Sequence, residues 1–179
     1  MYNHLLDIKN SQKLCAIYSN PERVDVFTVG YVEYFDEDII ILRSYDYYGR
    51  EDGFICIDTS SIIKIECDNE YLNTIQILLD NELCNNQFVN FKEKQSFLSI
   101  LEFIKSRNLI CSIELYDSQM DDAVGFVSRI SNDGLIEIKI INSAGKFDGK
   151  CFLKLDCISC ISVYTLDNIR LEKIIKINV

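Results

Sequence analysis

Three clusters of side chains in this 179-residue sequence have types and spacings suited to chemistry. Asp36, Glu37 and Asp38 are consecutive carboxylates, and Glu51 and Asp52 form a second pair. Carboxylates gathered in this way can exchange protons with a substrate or hold a divalent cation. The stretch YDYYGREDG, residues 45–53, sets Tyr45, Tyr47 and Tyr48 beside Asp46 and Glu51. That composition suits contact with a protein surface, because tyrosine supplies broad contact area at low entropic cost. Cys157 and Cys160 are the one tight cysteine pair, and His4 is the one histidine.

The cysteine pair lacks the second pair, or the nearby histidines, that a zinc site needs. Residues three apart on a strand also point to opposite faces, which is poor chelating geometry. A serine or cysteine nucleophile usually needs a histidine base, and His4 falls in a terminal helix without an evident partner. There is no glycine-rich phosphate loop and no dinucleotide fingerprint. Acidic clusters in turns are more often solvated than catalytic, so no catalytic residue, metal or cofactor is expected.

Hydrophobic residues make up 48% and charged residues 26% of the chain, the composition of a folded domain. The cysteines lie in apolar stretches such as LCAI, FICI and ICSI, where thiols pack as small hydrophobes. No apolar run approaches the roughly 20 residues of a membrane span, and MYNHLLDIKN lacks the design of a signal peptide. A cytoplasmic protein with no membrane partner is expected. The net charge of -10 is unevenly placed: residues 1–89 hold 6 basic and 16 acidic side chains, residues 90–179 hold 12 of each. An acidic first half favours basic partners and repels phosphate. In the second half Arg129, Lys139, Lys146, Lys150 and Lys154 are gathered within strands or near them, with Glu137 and Asp148 interspersed.

Six of the seven glycines form pairs about 96 residues apart: Gly30 with Gly125, Gly49 with Gly145 and Gly53 with Gly149. LCAI matches ICSI, VGYV matches VGFV and Asp38 matches Asp133, while Asp58 meets Asp156 only after a two-residue insertion. Two repeats follow, 1–85 with a C-terminal helix and 90–179 with an N-terminal helix. Phe97, Ile100, Leu101 and Ile104 have helical spacing, with Asn108 as a left-handed cap, and Tyr2, Leu5 and Leu6 form a shorter equivalent. Alternating segments predict strands near 13–18, 24–35, 38–46, 53–58 and 61–67, with equivalents from 109 onward. Further helices are expected near 71–83 and 166–176. Gly30 and Gly125 fall inside the second strand of each repeat, where glycine marks a bend or a close backbone approach. A helix followed by five strands, the second bent at a glycine, is the plan of a small closed barrel.

GYVEYFDEDIIIL, residues 30–42, resembles the first signature of Sm and Sm-like proteins, including the bacterial Sm-like RNA chaperone, and FICIDTSSIIKIE resembles their fourth and fifth strands. GFVSRISNDGLIEI is a weaker match in the second repeat. The resemblance implies a β-rich α+β chain of two tandem five-stranded Sm-like, SH3-like barrels, each preceded by a helix. In that family uridine-rich RNA is held by polar and basic residues in two loops. Here those loops carry Asp36, Glu37, Asp38 and Asp58, Thr59, Ser60, Ser61, then Ser131, Asn132, Asp133 and Asp156, Cys157. The family's arginine–glycine pair is missing, and carboxylates there disfavour RNA.

The leading expectation is a non-enzymatic adaptor that docks on a basic protein surface through Tyr45, Asp46, Tyr47, Tyr48, Glu51, Asp36, Glu37 and Asp38. Its extreme form is an acidic inhibitor presenting carboxylates where phosphates would lie. The alternatives are an RNA-binding or ring-forming homo-oligomeric scaffold and a carboxylate-dependent hydrolase.

Overall fold

A computed structural model describes residues 2–80, 91, 94–116, 118 and 121–178. It is mainly β, and it divides into two compact units, Met1–Gln95 and Ser96–Val179. The expected linker, 85–90, lies outside the described residues. Among the described residues no helix is long and apolar enough to cross a membrane.

The first unit runs α1 (Tyr2–Asn10), β1 (Cys15–Tyr18), β2 (Thr28–Phe35), β3 (Ile39–Tyr45), β4 (Glu51–Asp58), β5 (Lys64–Cys67) and α2 (Glu70–Asp80). The second repeats this as α3 (Phe97–Ser106), β6 (Ile110–Leu115), β7 (Ala123–Ile130), β8 (Leu135–Ile141), β9 (Phe147–Lys154), β10 (Ile158–Val163) and α4 (Leu166–Asn178). Within the first unit the antiparallel strand order is β5-β1-β2-β3-β4, and within the second β10-β6-β7-β8-β9. The fifth strand of each unit returns beside the first, so the last two strands stand at opposite ends of the order. Hydrogen bonding therefore does not close either sheet upon itself in the way expected of a sealed barrel. A short 3-10 turn at Thr59–Ser61, capped by Asp58, separates β4 from β5, and β5 pairs with β1.

The helices form for local reasons. Ser96 and Ser99 make a reciprocal capping box at the start of α3, whose Ile100, Leu101 and Ile104 are buried. Asn108 ends it with φ 51°, the left-handed cap expected. In α1 the buried stripe is Leu5 and Ile8; Tyr2 and Leu6 are exposed, so the spacing Tyr2, Leu5, Leu6 misplaced the apolar face. β2 also starts at Thr28 and not near 24, because two turns precede it: Asn20 Oδ1 accepts from the Glu22 and Arg23 amides, and the Val26 amide donates to the Arg23 carbonyl.

The duplication reaches the backbone dihedrals. Positive φ recurs 96 residues apart at Gln12 and Asn108, Asp68 and Tyr164, Gly49 and Gly145, and Gly53 and Gly149. The 3-10 turns Thr59–Ser61 and Leu155–Cys157 keep the same offset, so Asp58 corresponds to Lys154 and not to Asp156, and no insertion separates them. Gly30 and Gly125 mark close approaches: a Cβ at either position would overlap the backbone carbonyl oxygen of Arg43 or Lys139 on the adjacent strand. A register shift follows in each strand, between Val32 and Tyr34 and between Val127 and Arg129.

The units differ in how β3 and β8 are buried. Ile39, Ile40, Ile41 and Leu42 are all buried, so β3 is covered on both faces, and Phe54 of β4 packs on Phe91 at 5.6 Å. In β8 burial alternates from Leu135 to Lys139, with Ile136 and Ile138 buried, Glu137 half-buried and Leu135 and Lys139 exposed, before Ile141 at the strand end is buried again.

Gly125→Ala should destabilise the second unit by roughly 1–3 kcal/mol through overlap. Gly149→Ala should cost about 1–2 kcal/mol through its φ alone, since nothing lies within 4 Å of its Cβ position. Asparagine, which tolerates positive φ, should recover much of the loss at 149 and none at 125, measured by urea unfolding.

Candidate functional site: the turn between β3 and β4

The turn from β3 to β4 is built by Asp46. Its Oδ1 accepts from the amides of Tyr48 and Arg50, each at 2.9 Å, and its Oδ2 accepts from Arg50 Nε at 2.8 Å. The Asp46 amide donates to the Arg50 carbonyl and the Gly49 amide to the Asp46 carbonyl. Gly49 takes φ 80° and lies so near α2 that a Cβ would be 2.7 Å from Leu78 Cβ. In the second unit Asn142 does the same work, with its Oδ1 accepting from Ala144 at 3.0 Å and Lys146 at 3.1 Å. Asp46 therefore belongs to the frame that both repeats share. Its counterpart was legible as an Asx residue at the 96-residue offset.

The frame sorts the tyrosines. Tyr47 and Tyr48 project outward, 62% and 54% exposed, with ring centroids 3.7 Å apart. The Arg50 guanidinium stands 5.1 Å from the Tyr48 ring. Hydrogen bonding to Tyr48, with some burial, holds the Tyr47 phenol above its usual pKa. Tyr45 goes the other way: at 8% exposed it packs with Leu14, Ala16, Tyr18, Val29, Leu72, Ile75 and Leu79, edge-on to Tyr31 at 5.7 Å. Leu72, Ile75 and Leu79 of α2 cover this side of β3, so Tyr45 is a core residue and offers no ring to a partner.

Glu51 is also drawn inward. Arg43 and Glu33 form an ion pair at 2.7 Å, and Glu51 lies beside them. Its Oε2 is buried and, among the described residues, has no hydrogen-bond partner. Burial pushes the Glu51 carboxyl above its usual value, with Glu33 adding to the shift and Arg43 opposing it.

The second expected cluster lies between β2 and β3. Asp36 accepts from the Asp38 and Ile39 amides, both at 2.9 Å, and from the Tyr34 hydroxyl at 2.7 Å. Burial alone would raise its pKa, but these donors outweigh it and hold the carboxyl below the usual range. Glu37 and Asp38 are exposed, and Asp38 faces Lys94 at 3.6 Å. The two clusters sit at opposite ends of β3, a strand of 7 residues. At about 3.3 Å per residue that separates them by roughly 20 Å, so the structure does not gather the acidic residues into one patch.

Little of the expected chemistry is brought together elsewhere. Among the described residues no group of three or more histidine, cysteine or acidic side chains could hold a metal ion. Cys157 is exposed and Cys160 half-buried. Burial pushes the Cys15 and Cys111 thiols up to about 12, away from the thiolate form that attacks or ligates. The sequence did not point to the Glu33–Arg43 pair; only the cross-strand register joins Arg43 to Tyr31 and Phe54. No protein-family model, curated protein or solved structure matches the chain.

Asp46→Asn should leave stability nearly unchanged, as Asn142 already fills that role, whereas Asp46→Ala should cost about 1 kcal/mol or more by orphaning two turn amides. A raised carboxyl pKa favours the fold below the ordinary glutamate value of 4.5 and loses that contribution as pH rises through the shifted value. Glu51→Gln should therefore raise the neutral-pH melting temperature, and the gap should narrow on acidification below 4.5. A destabilised variant at neutral pH would mean that attraction to Arg43 outweighs the burial.

Proposed function

We propose that the chain is a non-enzymatic adaptor built of two tandem Sm-like modules, the first of which docks on a basic protein surface through Tyr47 and Tyr48. The observation that carries this is the exposed tyrosine pair, held on a turn whose backbone Asp46 and Gly49 fix. Two large rings kept in water at an ordered turn find a favourable environment in a partner's surface, and tyrosine is enriched where binding energy concentrates. The acidic balance of residues 1–89 supports a basic partner.

The Sm-like likeness is supported by a helix before five strands, the fifth strand returning to the first, and a glycine pinch in the second. RNA is the less favoured ligand for the loops that bind it in that family. Asp36 and Asp58 occupy them here, with the Asp58 carboxylate accepting from the Ser60 amide at 2.6 Å. The separation of the two acidic clusters removes the basis for a continuous phosphate-like surface.

Immobilised chain should retain basic proteins from its host's extract, and Tyr47→Ala/Tyr48→Ala should reduce that retention by roughly 30-fold, the effect of losing about 2 kcal/mol at a hot spot. Elution should sharpen with added salt. Identical retained proteins at identical yield would overturn the role of the tyrosine pair.

A further inference from the structure

The second unit exposes a sheet face that the first unit buries. In the first unit Ile39 pairs with Asp58, Ile41 with Cys56 and Arg43 with Phe54, and four of these six side chains, Ile39, Ile41, Phe54 and Cys56, are buried. At the equivalent positions Leu135 pairs with Lys154, Glu137 with Phe152 and Lys139 with Lys150. Directly opposed residues share a face. Leu135 is 38% and Phe152 58% exposed, and Lys139, Lys150 and Lys154 are also exposed. Arg129 on β7 pairs with Glu137 and extends the same row.

This face is cationic despite the neutral balance of its half of the chain. Glu137 is its one carboxylate, 2.7 Å from Lys150, and it neutralises a single charge among Arg129, Lys139, Lys150 and Lys154. β9 ends its sheet: β8 is its one ladder partner among the described residues, and every residue of β9 is exposed or half-buried. Its outer edge thus offers backbone donors and acceptors beside an exposed phenylalanine flanked by lysines. Lysines on an edge strand discourage indiscriminate pairing. A strand kept only to remain solvated has no use for Phe152, nor for Phe147 at 67% exposed.

We propose that β9 receives an extended acidic segment of a partner protein as an added strand, its carboxylates meeting Lys150 and Lys154 and an apolar side chain meeting Phe152. The match lies in the period. Lys150, Phe152 and Lys154 recur every second residue, about 6.6–6.8 Å apart, which is the same-face spacing of a peptide strand. The edge amides and carbonyls suit a peptide backbone in register, which a phosphate chain does not offer, and Glu137 sets a like charge against phosphate. The lysines repel a basic strand, so the same feature that keeps the edge from indiscriminate pairing selects the partner.

Fluorescence anisotropy with the full chain tests this using labelled eight-residue peptides, matched to β9 in length. TETVTETV places glutamate, valine and glutamate on one face; TETVTTEV has the same composition but turns the second glutamate to the other face; TETVPETV removes one ladder donor. The first should bind saturably, and the other two at least 10-fold more weakly. Lys154→Glu and Phe152→Ser, both at exposed positions, should each weaken the first peptide by a similar factor without changing the melting temperature. Equal binding of the three peptides, no saturable binding, or tighter binding of a thymidine oligonucleotide would each overturn the proposal.

Discussion

Both units depend on a backbone-to-backbone contact that admits no side chain. Where β2 passes β3 at Gly30, and β7 passes β8 at Gly125, the carbonyl of the neighbouring strand occupies the volume a Cβ would need. This pinch lets the second strand come close and then shift register within a few residues. Strands at ordinary spacing would stay flatter, because a bulge concentrates twist and bending at one point. Each register shift thus follows within a few residues of a position with no side chain.

Around this pinch the two units share a skeleton and differ in what they hang on it. Positive-φ positions, 3-10 turns and Asx-capped hairpins recur at one offset, so the shared information is chiefly conformational. The buried chemistry has diverged. Ala16 and Leu72 pack in the first core, while their counterparts Ser112 and Asn168 are both buried in the second and joined by a 3.3 Å hydrogen bond. Asn168 also accepts from the Thr165 amide, so the polar side chain is satisfied within its own helix start and the adjacent strand. A polar pair has replaced an apolar contact without altering the backbone around it.

The legible part of the fold was the part written in period and punctuation. The strands, the α3 stripe with its Asn108 cap and the glycine pairs were readable because alternation and dihedral demands act on single residues. Sheet closure was not readable, since it depends on which distant strand edges pair, and no single residue carries that information. The candidate site was half readable. Composition picked out the tyrosines, but only the packing of α2 on β3 decides that Tyr45 is buried while Tyr47 and Tyr48 lie beyond the strand. Asp46 looked like surface charge and proved to be a turn brace, a role visible only once Asn142 is recognised as its counterpart.

The same distinction limits what net charge can say about partners. Asp36, Asp46 and Asp58 each accept backbone amide hydrogen bonds within a turn, so part of the acidity of residues 1–89 serves local structure. Such carboxylates still contribute a long-range field, which on the proposed reading would steer a basic partner, while short-range contact would fall to exposed neighbours such as Tyr47, Tyr48 and Glu37. The second half shows the converse. Its charges balance in sum, yet strand alternation sends Lys139, Lys150 and Lys154 to one face and leaves Glu137 alone among them. The charge that a partner meets is set by the register of two strands, because a shift of one residue would carry the lysines to the opposite face while the composition stayed the same.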